Sequence, residues 1–224
     1  MGESKRENCT VREDSDCASC NLGCFLNCKW NRKFLTGFLA VASVPIAGTF
    51  IILALLWILT AQWWPVVLYI ILLFLLFGYE IKFLCSHCPY YEGEGKTLKC
   101  LANNGAPKIY GYNPAPMNKW EKFMMRFLVT FFYAIAPLAV SVTALWLVIT
   151  GGYGTVALVA VSGLVIMLFC TCVELFRILK TFYCSRCVNF SCPLNKVEKR
   201  IVDEYLMKND VMREAWERSG YRLG

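Results

Sequence analysis

Cysteine is the residue type in this chain whose number and spacing could do chemistry: thirteen cysteines stand against one histidine in 224 residues. Two Cys-x-x-Cys pairs occur, Cys85-Ser86-His87-Cys88 and Cys184-Ser185-Arg186-Cys187, and each leads to a Cys-Pro step, Cys88-Pro89 or Cys192-Pro193. Two thiolates three residues apart grip one ion or one cluster edge without strain. Each pair has a third thiol downstream, Cys100 in one case and Cys192 in the other, so each half offers three ligands and lacks a fourth. Five more cysteines come first: Cys9, Cys17, Cys20, Cys24 and Cys28. Cys17, Cys20, Cys24 and Cys28 stand at i, i+3, i+7 and i+11, a spacing that predicts one stripe of thiols on a helix. Such a stripe would complete the two three-thiol sets or hold a four-cysteine cluster of its own. Cys170 and Cys172, inside an apolar stretch, read as small packing residues.

Thiols far outnumber imidazoles, which disfavours a Cys2His2 zinc site, and proline directly after a ligand cysteine is also found in bacterial ferredoxin runs. The expected cofactor is therefore one or two iron–sulfur clusters of the 4Fe–4S kind, with structural zinc as the alternative. A third reading leaves the thiols without metal and acylates the N-terminal ones beside a membrane. Bis-histidine haem is excluded by His87 being the only histidine, and His87 itself reads as a solvent-facing spacer or a ligand.

The elements that must position these thiols are set by composition. Charged residues make up 17% of the chain and hydrophobic ones 57%, whereas a soluble domain is about 25% charged. Intrinsic disorder and nucleic-acid binding are excluded on that ground. No Asp, Glu, Lys, Arg or His occurs in the 46 residues from Phe34 to Tyr79 or in the 47 from Phe127 to Val173. One bilayer-spanning helix takes about 20 apolar residues, so each block predicts two spans joined by a tight turn. The fold class is all-α integral membrane protein, with four transmembrane helices near 34–60, 65–84, 124–150 and 154–181. The organisation is an N-terminal Cys-rich helix (1–33), a first transmembrane hairpin (34–84), a Cys-containing loop (85–123), a second hairpin (124–181) and a Cys-containing segment with a C-terminal amphipathic helix (182–224).

The 23 lysines and arginines fall only before Phe34, from Lys82 to Arg126, and from Arg177 onward. The positive-inside rule then puts both termini and the central loop in the cytoplasm, in an inner or plasma membrane. Eleven of the thirteen cysteines lie on that predicted face, where thiols stay reduced and metal or redox chemistry is the default.

The two halves match. Lys29-Trp30-Asn31-Arg32-Lys33-Phe34 corresponds to Lys119-Trp120-Glu121-Lys122-Phe123, Pro45 to Pro137, Trp57 to Trp146, and each second span ends in its Cys-x-x-Cys pair. This predicts a tandem repeat of two-helix hairpins, since two spans return the chain to its starting side. The centres of the spans are bare of charge, unlike those of pumps and channels. Only Glu80 and Glu174 approach the predicted membrane, with Lys82 and Arg177 within three residues of them, either as an interfacial ion pair, Glu174 with Arg177, or as a polar site for a quinone or lipid head group. Beyond Pro193, Asn195 and Glu198 are spaced to cap one amphipathic helix carrying Val197, Ile201, Tyr205, Met212 and Trp216.

Four helices with Cys88-Pro89 and Cys192-Pro193 resemble in part the membrane-bound iron–sulfur quinol dehydrogenases of nitrate and nitrous oxide reduction, which implies electron transfer from quinol to a partner. Those proteins use Cys-x-x-x-Cys-Pro and an added ferredoxin domain, both missing here. His87-Cys88-Pro89-Tyr90 resembles the core of the Asp-His-His-Cys protein S-acyltransferases, but Ser86 stands where the activating histidine belongs. The chain is assigned to neither family. The functional expectation is a membrane-bound iron–sulfur protein passing electrons between a quinone-type membrane donor, or a soluble donor, and a partner protein at the cytoplasmic face. The alternative is a zinc-stabilised anchor or assembly factor, and no residue stands out as a catalytic base or nucleophile.

Overall fold

The computed structural model describes residues 8–12, 15, 17 and 19–224, and among these the regular structure is helical. Four helical stretches are long and apolar enough to cross a membrane: Arg32–Thr60, Trp64–Cys85, Lys119–Thr150 and Gly154–Arg186. Only 17–28% of each apolar window is buried inside the protein, so most of these side chains face outward and call for lipid. The only β pairing among the described residues is an isolated bridge between Thr97 and Pro107.

The long helices are α1 (Arg32–Thr60), α2 (Trp64–Tyr79), α3 (Lys119–Thr130), α4 (Ala136–Thr150) and α5 (Gly154–Ile178). A π turn, Phe131–Ile135, joins α3 to α4 just ahead of Pro137. Proline has no N–H and its ring crowds the carbonyl four residues back, and the wider π turn relieves both conflicts without ending the helix. The hairpin turns are short: Ala61 ends α1 at φ 57, and Gly152 at φ 66 follows α4, glycine meeting the left-handed conformation at no steric cost.

The chain divides into two compact units. One comprises residues 39–77 and 126–178, and its core joins Ile52 and Leu56 to Ala144, Val148, Val161, Leu168 and Cys172. Within it α1 and α5 approach closely at Gly48, where an added Cβ would lie 2.9 Å from Leu168 Cδ1. Cys172 packs as expected, whereas Cys170 is exposed.

The other unit takes its residues from 1–38, 78–125 and 179–224. A single core runs through all three segments, from Leu22 and Leu26, through Ile81, Tyr90, Leu98 and Cys100, to Val188, Tyr205, Leu206 and Trp216. Two differences from the sequence reading arise here. Among the described residues before α1, the one helical element is a 3-10 turn, Asn21–Cys24, instead of a long Cys-bearing helix. Leu22 and Leu26 anchor this segment in the core at 1% and 4% exposure, so the leucines and not the thiols set its path. The C-terminal segment forms two helices, α6 (Lys199–Met207) and α7 (Asp210–Arg218), instead of one. Glu198 takes the N-cap position, because the Asn195 side chain bonds instead to the Cys187 and Asn189 carbonyls at 2.8 and 3.0 Å.

Candidate metal-thiolate sites

Both Cys-x-x-Cys pairs are entered from a long apolar helix through a π turn, Glu80–Cys85 in one half and Leu179–Tyr183 in the other. After Cys85 the chain reverses through Cys88 N–H donating to the Cys85 carbonyl at 2.9 Å and Tyr91 N–H to the Cys88 carbonyl at 2.8 Å. The second pair is closed by Cys192 N–H to Asn189 O at 3.2 Å and Lys196 N–H to Cys184 O at 3.0 Å. The two turns are tied together: Asn189 donates through Nδ2 to the Leu84 carbonyl at 2.8 Å, and Met117 N–H donates to Ser191 Oγ. Cys85 and Cys100 belong to this core and Cys88 packs against it; Cys187 lies within electrostatic reach of Cys88, and Cys192 within reach of Cys187 and Cys184. Burial first, then the negative charge of the neighbouring Cys187 and Cys100, drives the Cys88 thiol well above its ordinary range. Burial likewise raises Cys100, Cys187 and Cys192.

Backbone amides answer part of that cost. The backbone at Tyr90 pulls the Cys88 thiol back down, that at Asn189 does so for Cys187, and that at Leu194 and Asn195 for Cys192. Cys100 receives the N–H of Ala102 and of Asn103, the latter at 3.1 Å. Hydrogen bonds to a thiolate favour the charged form, which is the form that ligates metal.

A second group of thiols surrounds a cavity of about 570 Å³ lined by Cys9, Cys17, Cys20 and Cys28 together with Lys29 and Lys208. Burial, followed by the charges of Cys9, Cys20 and Cys17, pushes the Cys28 thiol up to about 12, against the opposing pull of Lys29. Polar groups reach the other three sulfurs. Asn209 Nδ2 donates to Cys9 at 3.4 Å, Lys208 Nζ to Cys20 at 3.5 Å, and Ser15 Oγ lies 3.9 Å from Cys17. Cys24, counted in the expected stripe, is exposed and does not line the cavity, while Cys9, which the helical spacing passed over, does.

Among the described residues, no set of three or more His, Cys, Asp or Glu side chains is arranged, as it stands, to hold a metal ion. The thiols of either group must draw together for that.

His87 is neither solvent-facing nor directed at the thiols. It is 4% exposed, with Nδ1 2.5 Å from the Ala115 carbonyl and Nε2 3.7 Å from Glu121. Glu174 and Arg177 form an exposed ion pair at 2.9 Å, and Glu80 accepts from Asn103 Nδ2 at 3.4 Å. Asn103 also reaches the Cys85 sulfur at 3.3 Å. In comparisons with known protein families, characterised proteins and solved structures, nothing matches the chain. Its function therefore has to be argued from these groups alone. Sequence reasoning missed Asn103, Lys208 and Asn209 as sulfur partners, since no local spacing ties them to a thiol.

Proposed function

We propose that this chain is a membrane-bound iron–sulfur protein that passes electrons between a quinone-type membrane donor, or a soluble donor, and a partner protein at the cytoplasmic face. Its cluster is held by Cys9, Cys17, Cys20 and Cys28. The observation that carries this is the cavity: four thiols line a space open enough to admit iron with inorganic sulfide, and Lys29 and Lys208 stand ready to offset the negative charge of a thiolate-ligated cluster. Once bound, the cluster supplies one-electron chemistry, while the chain's part is to hold the thiolates, donate hydrogen bonds to them and set the local charge.

A neighbouring cleft contains Lys29, Lys99 and Lys108 against one acid, Glu94, and Lys29 lines both spaces. That cationic approach suits an acidic partner docking beside the cluster. The cytoplasmic orientation rests on the distribution of lysine and arginine. The tandem repeat is supported by the π turn that precedes each Cys-x-x-Cys pair.

The deciding experiment is iron, zinc and acid-labile sulfide analysis with an absorption spectrum, on protein purified without oxygen in detergent. Iron with matching sulfide and a brown visible band is expected. Zinc without iron would overturn electron transfer and leave the zinc-stabilised anchor.

A further inference from the structure

Within the unit of residues 39–77 and 126–178, a cavity of about 380 Å³ is lined by α4 on one side and α5 on the other. Pro137, Ser141, Leu168 and Cys172 are its buried floor, whereas Leu138 and Phe169 are exposed and form its rim, so the cavity opens toward lipid. Tyr133 and Ala134 line it from the π turn Phe131–Ile135, the widened turn that accommodates Pro137. Such turns recur at functional sites because they reshape one side of a helix. An apolar, partly aromatic cavity of this size with one polar group in its floor has the make-up of a small-molecule site.

The polar group is the Ser141 hydroxyl, and the fold itself does not use it. Hydroxyls inside a helix ordinarily return to a backbone carbonyl three or four residues back, as those of Thr49, Thr143 and Thr171 do at 2.8 Å. Ser141 is 5% exposed, and no hydrogen bond holds its hydroxyl among the described residues. A buried hydroxyl facing an apolar cavity is a cost that an occupant carrying an acceptor removes. Depth restricts that occupant. Ser141 stands nine residues before Thr150, where α4 ends, and at 1.5 Å per residue this is about 14 Å, near the middle of a hydrocarbon layer about 30 Å thick. A phospholipid keeps its ester carbonyls at the head-group level and offers only hydrocarbon at this depth. A prenylated quinone is uncharged and flat, carries carbonyl oxygens on an otherwise apolar body, and suits the aromatic side chains of Tyr133, Phe169 and Phe176.

We propose that this cavity binds the ring of a prenylated quinone, with Ser141 Oγ donating to a ring carbonyl and the prenyl chain leaving past Leu138 and Phe169 into lipid. The proposal rests on the electron-transfer reading above for what the quinone does, and it narrows the donor of that reading to the membrane one. Binding itself requires no cluster.

The test is equilibrium dialysis of decylubiquinone against the full chain in phosphatidylcholine nanodiscs, with empty nanodiscs subtracted and decylbenzene, which has a ring and chain but no carbonyl, as the second probe. Saturable binding of one decylubiquinone per chain is expected, with decylbenzene weaker by about fivefold or more, the worth of one hydrogen bond. Ser141→Ala is expected to weaken decylubiquinone by about fivefold and to leave decylbenzene unchanged. Ala134→Trp, at an exposed position of the lining, is expected to fill the cavity and abolish binding of both probes while the melting temperature stays near wild type. Equal affinity for the two probes, or decylubiquinone binding unmoved by Ser141→Ala, overturns the assignment and leaves a seat for a lipid chain. Undiminished binding by Ala134→Trp, or no saturable binding by the wild type, overturns it as well. Iron and sulfide measured on the same samples separate this site from the cluster: quinone binding by iron-free protein upholds the site and ends the electron-transfer reading, whereas iron and sulfide without quinone binding overturn the site and leave that reading with its soluble donor.

Discussion

Asn209 brackets Cys9 from 200 residues away, its Oδ1 accepting the Cys9 amide at 2.6 Å and its Nδ2 donating to the Cys9 sulfur at 3.4 Å. The same Nδ2 donates to the Tyr205 carbonyl at 2.7 Å, in the break between α6 and α7, and Asn209 is 2% exposed. Replacing it with leucine strands the half-buried Cys9 amide, which costs about 1 kcal/mol. A lower midpoint in urea titrations followed by Trp216 fluorescence is expected for Asn209→Leu.

The N-terminal thiols separate by whether they line the cavity and not by sequence spacing. Cys24→Ser is expected to retain wild-type iron and sulfide, because Cys24 does not line the cavity. Cys17→Ser and Cys28→Ser are expected to lose both. Equal loss from all three in metal analysis would restore the helical stripe.

Lys208 places a cation 3.5 Å from the Cys20 sulfur. A nearby positive charge favours the more negative, reduced form of a cluster. Lys208→Met is expected to lower the midpoint potential in a redox titration by roughly 40 mV, the equivalent of about 1 kcal/mol in a one-electron couple. An unchanged or raised potential would remove Lys208 from the site.

Asp203 supplies a pH dependence. Burial pushes its carboxyl up, but hydrogen bonds from Lys199, Tyr221 and the Gly224 amide outweigh this and hold it below its ordinary 3.8. A depressed folded value means the contribution to stability is complete above 3.8 and is lost as pH falls through the lower folded value. Acid titration monitored by Trp216 fluorescence is expected to show loosening of α6 and α7 below about pH 4. The Asp203→Asn variant should lack that component and be less stable at pH 7.

Gly48 lets α1 and α5 close on one another, with Leu168 the obstacle to any larger residue. Gly48→Leu overfills this contact and is expected to cost about 1–3 kcal/mol, read as a lower melting temperature in detergent. Gly163→Ala is the control, since nothing lies within 4 Å of a Cβ built there.

Much of the fold was legible in the chain. Two long uncharged blocks broken by short turns dictate four apolar helices, because an unpaired backbone group is too costly in hydrocarbon and about 20 residues span it. Thiol spacing by itself also singles out Cys85, Cys88, Cys184 and Cys187 as two matched pairs. Local pattern failed where a long-range contact outweighed it. The i, i+3, i+7, i+11 run of cysteines predicted a helix, but a short polar segment takes whatever path its anchors impose, and Leu22 and Leu26 pin it to a core shared with Tyr205 and Trp216. Cys24 was thereby left in solvent and Cys9 brought in.

What the sequence determined by itself was the membrane-compatible helical class and the identity of the chemistry-bearing residues, because both follow from residue type and from periodicity along the chain. Only the tertiary structure decided which thiols are neighbours and which have donors. Cys88 meets Cys187 across the Leu84 to Asn189 contact, and Cys9 meets Asn209 from the far end of the chain. Such pairings depend on how three separated segments bury one apolar core, and no spacing within any one of them encodes that.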